Sequence, residues 1–267
     1  MRPIDSLRES STARGPGISN PEPGTGTVPF PPKLMAADFG NVEPATGVAS
    51  QFPEFPLLLA QHRPRREWEA LLKRAIDLLV AGLLTLCAAP VMLGIAIIIK
   101  LTSSGSVIFR QKRVGFEGNV FEILKFRTMY AHLTDPLAER QSCKKDERVT
   151  RFGRLLRRTS LDELPQFLNV LAGDMSLVGP RPHALGTTAN GIPLEIADPR
   201  YILRYRAKPG VTGWAQVNGC RGAVATVDQV VRRVDHDLYY IENWSLALDL
   251  KIACRTALLM LTDRDVP

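Results

Sequence analysis

The longest charge-free segment of the chain runs from Leu78 to Ile99 and is almost entirely apolar. As a single helix it is about 33 Å long, which is enough to cross the hydrocarbon core of a bilayer. A buried core helix is the alternative, but helices of globular proteins nearly always carry a polar stripe. The pattern therefore predicts a membrane-associated helix.

Two features of this segment argue against a simple crossing of the membrane. Basic residues flank both of its ends, and the positive-inside rule then places both flanks in the cytoplasm. Pro90 lies near the middle, where its missing N–H group bends a helix. Together they predict a re-entrant helix that enters and leaves by the same face. The flanking residues are Arg63, Arg65, Arg66, Lys73 and Arg74 on one side and Lys100, Arg110, Lys112 and Arg113 on the other.

Shorter patterns follow the apolar segment. Two β-rich runs over residues 107–126, VIFRQKRV and VFEILKFR, are separated by the turn-like residues 115–118 and predict a hairpin. Residues 131–149 are polar and fit a loop or a short helix. Apolar residues at helical spacing return in Arg151–Arg158, a basic amphipathic helix suited to an anionic surface, although a solvated face explains it equally well. Residues 226–261 also read as helical.

The segment SLDELPQ, residues 160–166, places the adjacent carboxylates Asp162 and Glu163 between apolar residues. Its first and fourth residues have the spacing of a capping box, but Pro165 would then lie inside the helix without an N–H donor. A helix that begins around Leu164 accommodates the proline better and leaves both carboxylates at the helix entrance. Free N–H groups attract anions there, so a structural cap and a reaction centre both stay open.

The first 60 residues have a different composition. They hold half of the 20 prolines, with frequent Gly, Ser and Thr, and no period of 2 or 3.6 persists. This predicts a disordered tail over residues 1–65. No basic-then-apolar block opens the chain, so a secretory signal is not predicted.

The chain has an excess of basic residues, with 34 Lys and Arg against 27 Asp and Glu. The excess lies after the tail and suits an anionic partner: nucleic acid, a phosphate-bearing substrate or a membrane surface. The four cysteines and four histidines show no ligand spacing, so neither a zinc site nor a disulfide framework is predicted.

The carboxylate pair could act on phosphate chemically. An aspartate can attack phosphorus as a covalent nucleophile, and a neighbouring glutamate can move a proton. Carboxylates that face a diphosphate need Mg²⁺ and arginines to offset the repulsion, and Arg157, Arg158 and Arg181 are candidates. Arg181 stands between two prolines, which stiffens its backbone for bidentate phosphate contact, although a rigid turn explains the prolines as well.

Taken together, residues 71–262 resemble the bacterial sugar transferases, the monotopic polyprenyl-phosphate phosphoglycosyl transferases. The motifs that carry the resemblance are KRAIDLL, VIFRQKRVG, LKFRTM, RFGRLLRRTSLDELPQFLNVLAGDMSLVGPRP and YRAKPGVTGWAQVNG. The resemblance implies that a hexose-1-phosphate passes from a UDP-sugar to undecaprenyl phosphate with release of UMP. The implied location is the cytoplasmic face of the bacterial inner membrane, with a monotopic anchor.

The family mechanism is ping-pong, with an Asp-Glu dyad and Mg²⁺, and the dyad matches Asp162 and Glu163. Asp162 would attack the sugar-proximal phosphorus and contact the metal. Glu163 would assist proton transfer from the lipid phosphate or position it. The implied phosphate-binding residues are Arg181, Lys125, Arg127 and Arg157.

The expected architecture is α+β and mainly helical. It comprises the tail at 1–65, a basic flank with the re-entrant helix at 66–105, and a cytoplasmic catalytic domain at 106–267 with the small hairpin and amphipathic interfacial helices. The family breaks its membrane helix at a Ser-Pro pair, whereas this chain has Ala89-Pro90 and lacks that hydroxyl.

Glucose-1-phosphate is the expected group, because RPHALG and DLYYIENWSLALDLKI look most like members that begin exopolysaccharide synthesis. Galactose-1-phosphate is the close rival. The implied partners are membrane lipid, the two substrates and later glycosyltransferases of the same pathway, and not nucleic acid; a homo-oligomer is left open.

Parts of the sequence also fit two other classes of function. An inverting glycosyltransferase could use a DxD motif at Asp235-His236-Asp237 or Asp263-Arg264-Asp265, but no nucleotide-binding βαβ pattern precedes either. A non-enzymatic, basic membrane adaptor explains the charge and the apolar segment. It does not explain an Asp-Glu-Pro segment placed between arginines.

Overall fold

The computed structural model describes residues 67–131 and 146–262, so the predicted tail at 1–65 and most of the polar segment at 131–149 lie outside the described residues. Helix α1, Glu67–Thr102, contains the whole apolar segment and remains one helix across Pro90. It begins well before Leu78, because its first turns are held by polar contacts that hydrophobicity does not reveal. Its length and composition are sufficient to cross a membrane.

Helix α1 packs against the rest of the protein near both of its ends. Near the start, the Lys73 ammonium donates to Asp249 Oδ2 at 2.7 Å, and Ser176 Oγ donates to Asp77 Oδ2 at 2.8 Å. Between residues 82 and 94 no side chain is buried. The middle of the helix therefore exposes an apolar surface of a kind that soluble monomers rarely expose. The most exposed leucines in this middle part are Leu83, Leu86 and Leu93.

The predicted hairpin is confirmed. Strand β1, Ile108–Val114, pairs antiparallel with β2, Val120–Phe126, and a 3-10 turn at Phe116–Gly118 joins them. Ile123 and Phe126 face inward and are buried.

Helix α2, Arg151–Arg158, has the predicted bounds. Thr150 caps it, since its side chain accepts a hydrogen bond from the Gly153 N–H at 2.8 Å. Leu156 is fully buried, and it packs with Ile95 and Ile99 from the end of α1.

A 3-10 turn at Leu161–Glu163 leads into helix α3, Gln166–Ala172. Ser160 has a left-handed backbone and makes no side-chain cap, so the capping box does not form. The helix begins two residues later than the predicted Leu164, because Pro165 occupies the N-cap position. It ends at Gly173 as predicted, where a positive φ of 102° suits glycine.

The remaining elements are short except at the C-terminal end, where the predicted helical stretch consists of two helices. Strand β3, Ser176–Val178, pairs in parallel with β6, Gly210–Thr212, and β4, Thr188–Ala189, pairs antiparallel with β5, Ile192–Pro193. The described part of the chain is thus mainly helical with small two-stranded sheets. These elements are β3 Ser176–Val178, β4 Thr188–Ala189, β5 Ile192–Pro193, α4 Leu194–Ala197, a 3-10 helix Pro199–Arg206, β6 Gly210–Thr212, α5 Trp214–Val217, α6 Val227–Glu242 and α7 Leu246–Thr262.

Gly153 allows α2 to approach the end of the hairpin. A Cβ at this position would collide with the carbonyl oxygen of Thr128. We expect Gly153→Ala to lower the free energy of unfolding by about 1–3 kcal/mol through overpacking, measured by thermal unfolding in detergent.

The matched control is Gly82→Ala in α1, where a Cβ meets no atom within 4 Å. This variant should be as stable as the parent or slightly more stable, since alanine favours a helix. Equal unfolding temperatures for the two variants would contradict the close approach at Gly153.

Candidate active site

Asp162 and Glu163 lie on the 3-10 turn that precedes α3. The flanking Leu161 and Leu164 pack against the cluster that joins α1, β2 and α2. The turn is therefore anchored on its apolar side, and its two carboxylates are directed away from that cluster's interior. Asp162 is nonetheless only 8% exposed.

Glu163 is held by two cations from different elements. Lys125, near the end of β2, donates from Nζ to Oε1 at 2.7 Å. Arg181 donates from Nη1 to Oε2 at 3.1 Å and from Nη2 to Oε1. Burial alone would raise the pKa of Glu163, but the charges of Arg181 and Lys125 outweigh it and hold that pKa well below its usual range. Glu163 is therefore ionised and a weak base.

Asp162 has a contrasting environment. Within residues 67–131 and 146–262 its carboxylate accepts no hydrogen bond. Burial raises the pKa of Asp162 to about 6 against the opposing charge of Lys125, and the neighbouring Glu163 adds to the rise. At neutral pH the carboxylate is mostly ionised, and its oxygens are free for an electrophile or a cation.

Arg157 approaches Asp162 from α2. Its Nε donates to Thr128 Oγ1 at 2.9 Å. Burial lowers the pKa of the guanidinium, and the charge of Asp162 acts most strongly against this. In the part of the chain that the structure describes, neither terminal nitrogen of Arg157 makes a hydrogen bond.

The structure does not bring Arg127 into contact with either carboxylate. Its Nη2 donates to the Ser103 carbonyl at 2.9 Å and to Ser103 Oγ at 2.8 Å, just past the end of α1. Gly105 passes directly over this guanidinium. Phosphate binding by Arg127 therefore stays a prediction, whereas Asp162, Glu163, Lys125, Arg157 and Arg181 are brought together.

Sequence reasoning missed Arg113 as part of this region. Its Nη1 donates to the Pro182 carbonyl, and its Nη2 donates to Gln111 Oε1 at 2.8 Å. The strand alternation of FRQKRV places Gln111 and Arg113 on one face, and this signal could have identified the pair. Burial, followed by the charge of Arg181, lowers the pKa of Arg113 to about 10.

A buried ion pair supports the backbone of Arg181. Arg204 donates from Nη2 to the Arg181 carbonyl at 2.7 Å and from Nε to Asp237 Oδ2 at 2.8 Å. Its guanidinium lies 4.4 Å from the centre of the Tyr201 ring. Arg181 is thus positioned by α6 through Arg204, as well as by its two prolines.

This pair also bears on the DxD alternative. Asp237 is bonded to Arg204, and Asp235 pairs with Arg200 Nη1 at 2.9 Å. Both carboxylates of that motif are therefore engaged in ion pairs, which disfavours a metal role. The second motif, at residues 263–265, lies outside the described residues.

His183 continues the support beneath Arg181. Its Nε2 lies 2.6 Å from Arg233 Nη1, and its Nδ1 lies 2.6 Å from the Tyr201 hydroxyl. Arginine always donates, so Nε2 accepts from Arg233. Arg204 Nη1 also lies 3.4 Å from Nδ1. Burial, followed by the charges of Arg204 and Arg233, holds the pKa of His183 well below its usual range.

The residues present fit a magnesium ion in a limited way. The described residues contain no group of three or more His, Cys, Asp or Glu side chains that could form a complete protein site. Mg²⁺ commonly binds through one or two carboxylates together with substrate phosphates and water. Asp162 can supply such an oxygen, whereas both oxygens of Glu163 already accept hydrogen bonds from cations.

Comparison with known proteins matches residues 68–263 to the bacterial sugar transferase family. The chain belongs to this family. The matched region contains the hairpin, the carboxylate turn and all the cations that surround it. The predicted family resemblance is therefore confirmed.

Several curated relatives of this family member are similar over the same region. It is 52% identical over 202 residues to the undecaprenyl-phosphate glucose phosphotransferase of Komagataeibacter xylinus. It is 51% identical over 190 residues to the UDP-glucose:undecaprenyl-phosphate glucose-1-phosphate transferase of Caulobacter vibrioides. It is 42% identical over 193 residues to the UDP-N-acetylgalactosamine-undecaprenyl-phosphate N-acetylgalactosaminephosphotransferase of Aeromonas hydrophila.

The matches cover most of this chain but different shares of the relatives. They span 76%, 71% and 72% of this chain in the same order. They span 38% of the Komagataeibacter protein, 70% of the Caulobacter protein and 44% of the Aeromonas protein. The chain thus corresponds to less than half of two of these relatives.

His183 generates a prediction about pH and stability. The unfolded chain binds a proton at this imidazole near pH 6.5, whereas the native protein keeps it neutral, so stability falls as pH decreases below 6.5. Below pH 6.5 this group should lower the free energy of unfolding of the parent by up to about 1.4 kcal/mol per pH unit. We expect His183→Gln to remove this loss. The measurement is the unfolding temperature of parent and variant between pH 7.5 and pH 5. Parallel curves for the two proteins would show that His183 is not held neutral.

Proposed function

We propose that this chain transfers glucose-1-phosphate from UDP-glucose to undecaprenyl phosphate and releases UMP. The names of the similar Komagataeibacter and Caulobacter proteins support this reaction. The structural observation that carries the proposal is the contrast within the dyad. Glu163 is saturated by Lys125 and Arg181, while the buried Asp162 beside it accepts no hydrogen bond from the described residues.

The first step uses Asp162 as the nucleophile. One carboxylate oxygen forms a bond to the sugar-proximal phosphorus of the donor, and the bond from that phosphorus to the bridging oxygen breaks. UMP leaves with the electron pair, and glucose-1-phosphate remains on Asp162 as an acyl phosphate. The ionised state of this carboxylate suits the attack, and no hydrogen bond from the described residues has to be broken first.

The second step regenerates the carboxylate. An oxygen of the lipid phosphate attacks the same phosphorus, the bond to Asp162 breaks, and the lipid-linked diphosphate sugar is released. A proton carried by the lipid phosphate passes to solvent or to a nearby base. Because its pKa is held low, Glu163 is better suited to position Lys125 and Arg181 than to accept this proton.

Cations around the dyad offset the charge of the phosphates. Arg181 and Lys125 keep Glu163 ionised, Arg113 adds positive charge near Glu163, and Arg157 adds positive charge near Asp162. When bound, Mg²⁺ would neutralise phosphate oxygens and help UMP to leave. Asp162 is the residue that would hold it.

The placement of α1 supports a re-entrant anchor. Both of its ends pack against residues 106–262, the proposed catalytic domain, while its middle between 82 and 94 has no buried residue. A helix with its domain on one side of the membrane can satisfy both contacts if it bends at Pro90. The proposed location is therefore the cytoplasmic face of the bacterial inner membrane, with α2 and α7 as interfacial helices.

The donor sugar follows from the relatives alone. The Komagataeibacter and Caulobacter relatives, both named for glucose, are 52% and 51% identical to this chain, and the Aeromonas relative, named for N-acetylgalactosamine, is 42% identical. We therefore propose UDP-glucose, with UDP-galactose as the rival. The reaction would be the first membrane step of exopolysaccharide synthesis.

Asp162→Asn tests the reaction. It should reduce UMP release from UDP-glucose, with undecaprenyl phosphate and Mg²⁺ present, by more than about 1000-fold, because the amide cannot form the acyl phosphate. Asp174→Asn is the control, since Asp174 is exposed and accepts a hydrogen bond from Asn169, with no contact to Asp162 or Glu163 among the described residues. Near-normal turnover by Asp162→Asn would overturn the mechanism. The absence of UMP release by the parent with any UDP-sugar would favour the basic membrane adaptor.

Cysteine labelling tests the membrane topology. Ala70→Cys and Ser104→Cys lie on exposed positions near the two ends of α1, in a background without the four native cysteines. An impermeant thiol reagent should label both positions from the cytoplasmic face. Labelling from opposite faces would show that the helix crosses the membrane.

A further inference from the structure

Lys125 and Arg181 donate hydrogen bonds to Glu163, whereas the terminal nitrogens of Arg157 have no acceptor among the described residues. We propose that Arg157 binds the phosphate of the lipid acceptor and presents it to the phosphorus carried by Asp162. This inference rests on the proposed function and deepens it, since it assigns one cation to one of the two substrates.

The Arg157 guanidinium is fixed at one edge and free at the other. Its Nε donates to Thr128 Oγ1 at 2.9 Å. The Thr128 backbone is itself fixed, because Thr150 N–H donates to its carbonyl at 3.0 Å and Gly153 packs directly on it. The two terminal nitrogens then form an anchored pair of donors without an acceptor among the described residues. Such a pair matches the bidentate geometry of a phosphate group.

The other two central cations already form ion pairs with Glu163. Arg181 uses both terminal nitrogens on Glu163, and Nη1 also points to the Val211 carbonyl at 3.3 Å. Lys125 donates to Glu163 at 2.7 Å. Among the described residues, a phosphate can therefore bind Arg157 without competing with an ion pair, whereas a phosphate at Arg181 or Lys125 would compete with Glu163 for the same cation.

The position of α2 favours the lipid phosphate over the nucleotide diphosphate. Leu156, adjacent to Arg157, packs against Ile95 and Ile99 at the end of the proposed membrane helix. Leu155 is 45% exposed on the same short helix. Cations beside an exposed leucine suit the surface of an anionic membrane, where the acceptor phosphate resides. The exposed arginines of this helix are Arg151, Arg154 and Arg158.

Arg181 reaches the dyad from a different part of the protein. Its loop follows β3 and is held from α6 through Arg204. Arg157 and Arg181 therefore belong to separately anchored elements that meet at the dyad. A lipid phosphate that arrives along α1 meets Arg157, and a water-soluble donor has no need to pass α2.

The two half-reactions separate the substrates. Purified parent protein with UDP-glucose and Mg²⁺, and without acceptor, should release about one UMP per active site; undecaprenyl phosphate then discharges the intermediate. Arg157→Gln should keep the UMP burst within about twofold and slow discharge at subsaturating acceptor by about 30- to 100-fold, as expected for loss of a charge-assisted phosphate contact. Arg157→Lys should recover part of the discharge rate.

Arg110→Gln is the matched control, because Arg110 is an exposed arginine of β1 that pairs only with Glu122 among the described residues. It should keep both half-reactions at the parent rate. The unfolding temperatures of all variants should match that of the parent. If Arg157→Gln does not fold, the two half-reactions are compared between the parent and Arg157→Lys.

The outcomes distinguish the inference from the proposed function. Loss of the UMP burst in Arg157→Gln, or unchanged discharge, would overturn the assignment of Arg157 to the acceptor. Absence of a burst in the parent would instead overturn the covalent route. In that case a steady-state rise in KM for undecaprenyl phosphate, with the KM for UDP-glucose unchanged, still supports the assignment, and a rise in the KM for UDP-glucose alone contradicts it.

Discussion

Two adjacent carboxylates on one largely buried turn repel each other, and the surrounding structure resolves this repulsion asymmetrically. Glu163 receives Lys125 from the hairpin and Arg181 from the loop after β3. Asp162 receives no hydrogen bond from the described residues, and burial raises its pKa to about 6. The environment, and not the order of the two residues in the chain, gives one carboxylate the character of a fixed ion and the other that of an available nucleophile.

Much of the fold serves to bring these cations to the turn from distant parts of the chain. The hairpin carries Lys125, and the buried Arg204–Asp237 pair fixes the carbonyl of Arg181 from α6. Breaking a buried pair of this kind leaves an uncompensated charge, which is strongly destabilising. Residues far from the carboxylates therefore determine whether Arg181 reaches Glu163. The end of α1 packs beneath the same turn, so the proposed membrane anchor and the reaction centre share one apolar cluster.

Local patterns predicted the local features of this chain. Alternation defined the hairpin, Pro165 excluded the capping box, and Gly173 marked the end of α3. The early start of α1 depends on partners about a hundred or more residues away, such as Ser176 and Asp249, and no local pattern reveals them. The same holds for Arg204 and His183, whose importance follows from tertiary contacts beneath Arg181. The family resemblance predicted the dyad. Only the geometry separates Arg157, whose terminal nitrogens have no acceptor among the described residues, from Arg181, whose terminal nitrogens donate to Glu163.

The central claim is that Asp162 carries the sugar phosphate covalently between two half-reactions. The most direct measurement is mass mapping of peptides after the parent protein is mixed with UDP-glucose and Mg²⁺ and quenched before acceptor is added. The account predicts a hexose-phosphate adduct on Asp162, in proportion to the UMP released, that disappears when undecaprenyl phosphate is supplied. UMP release that requires the acceptor, with no adduct on any peptide, would contradict it.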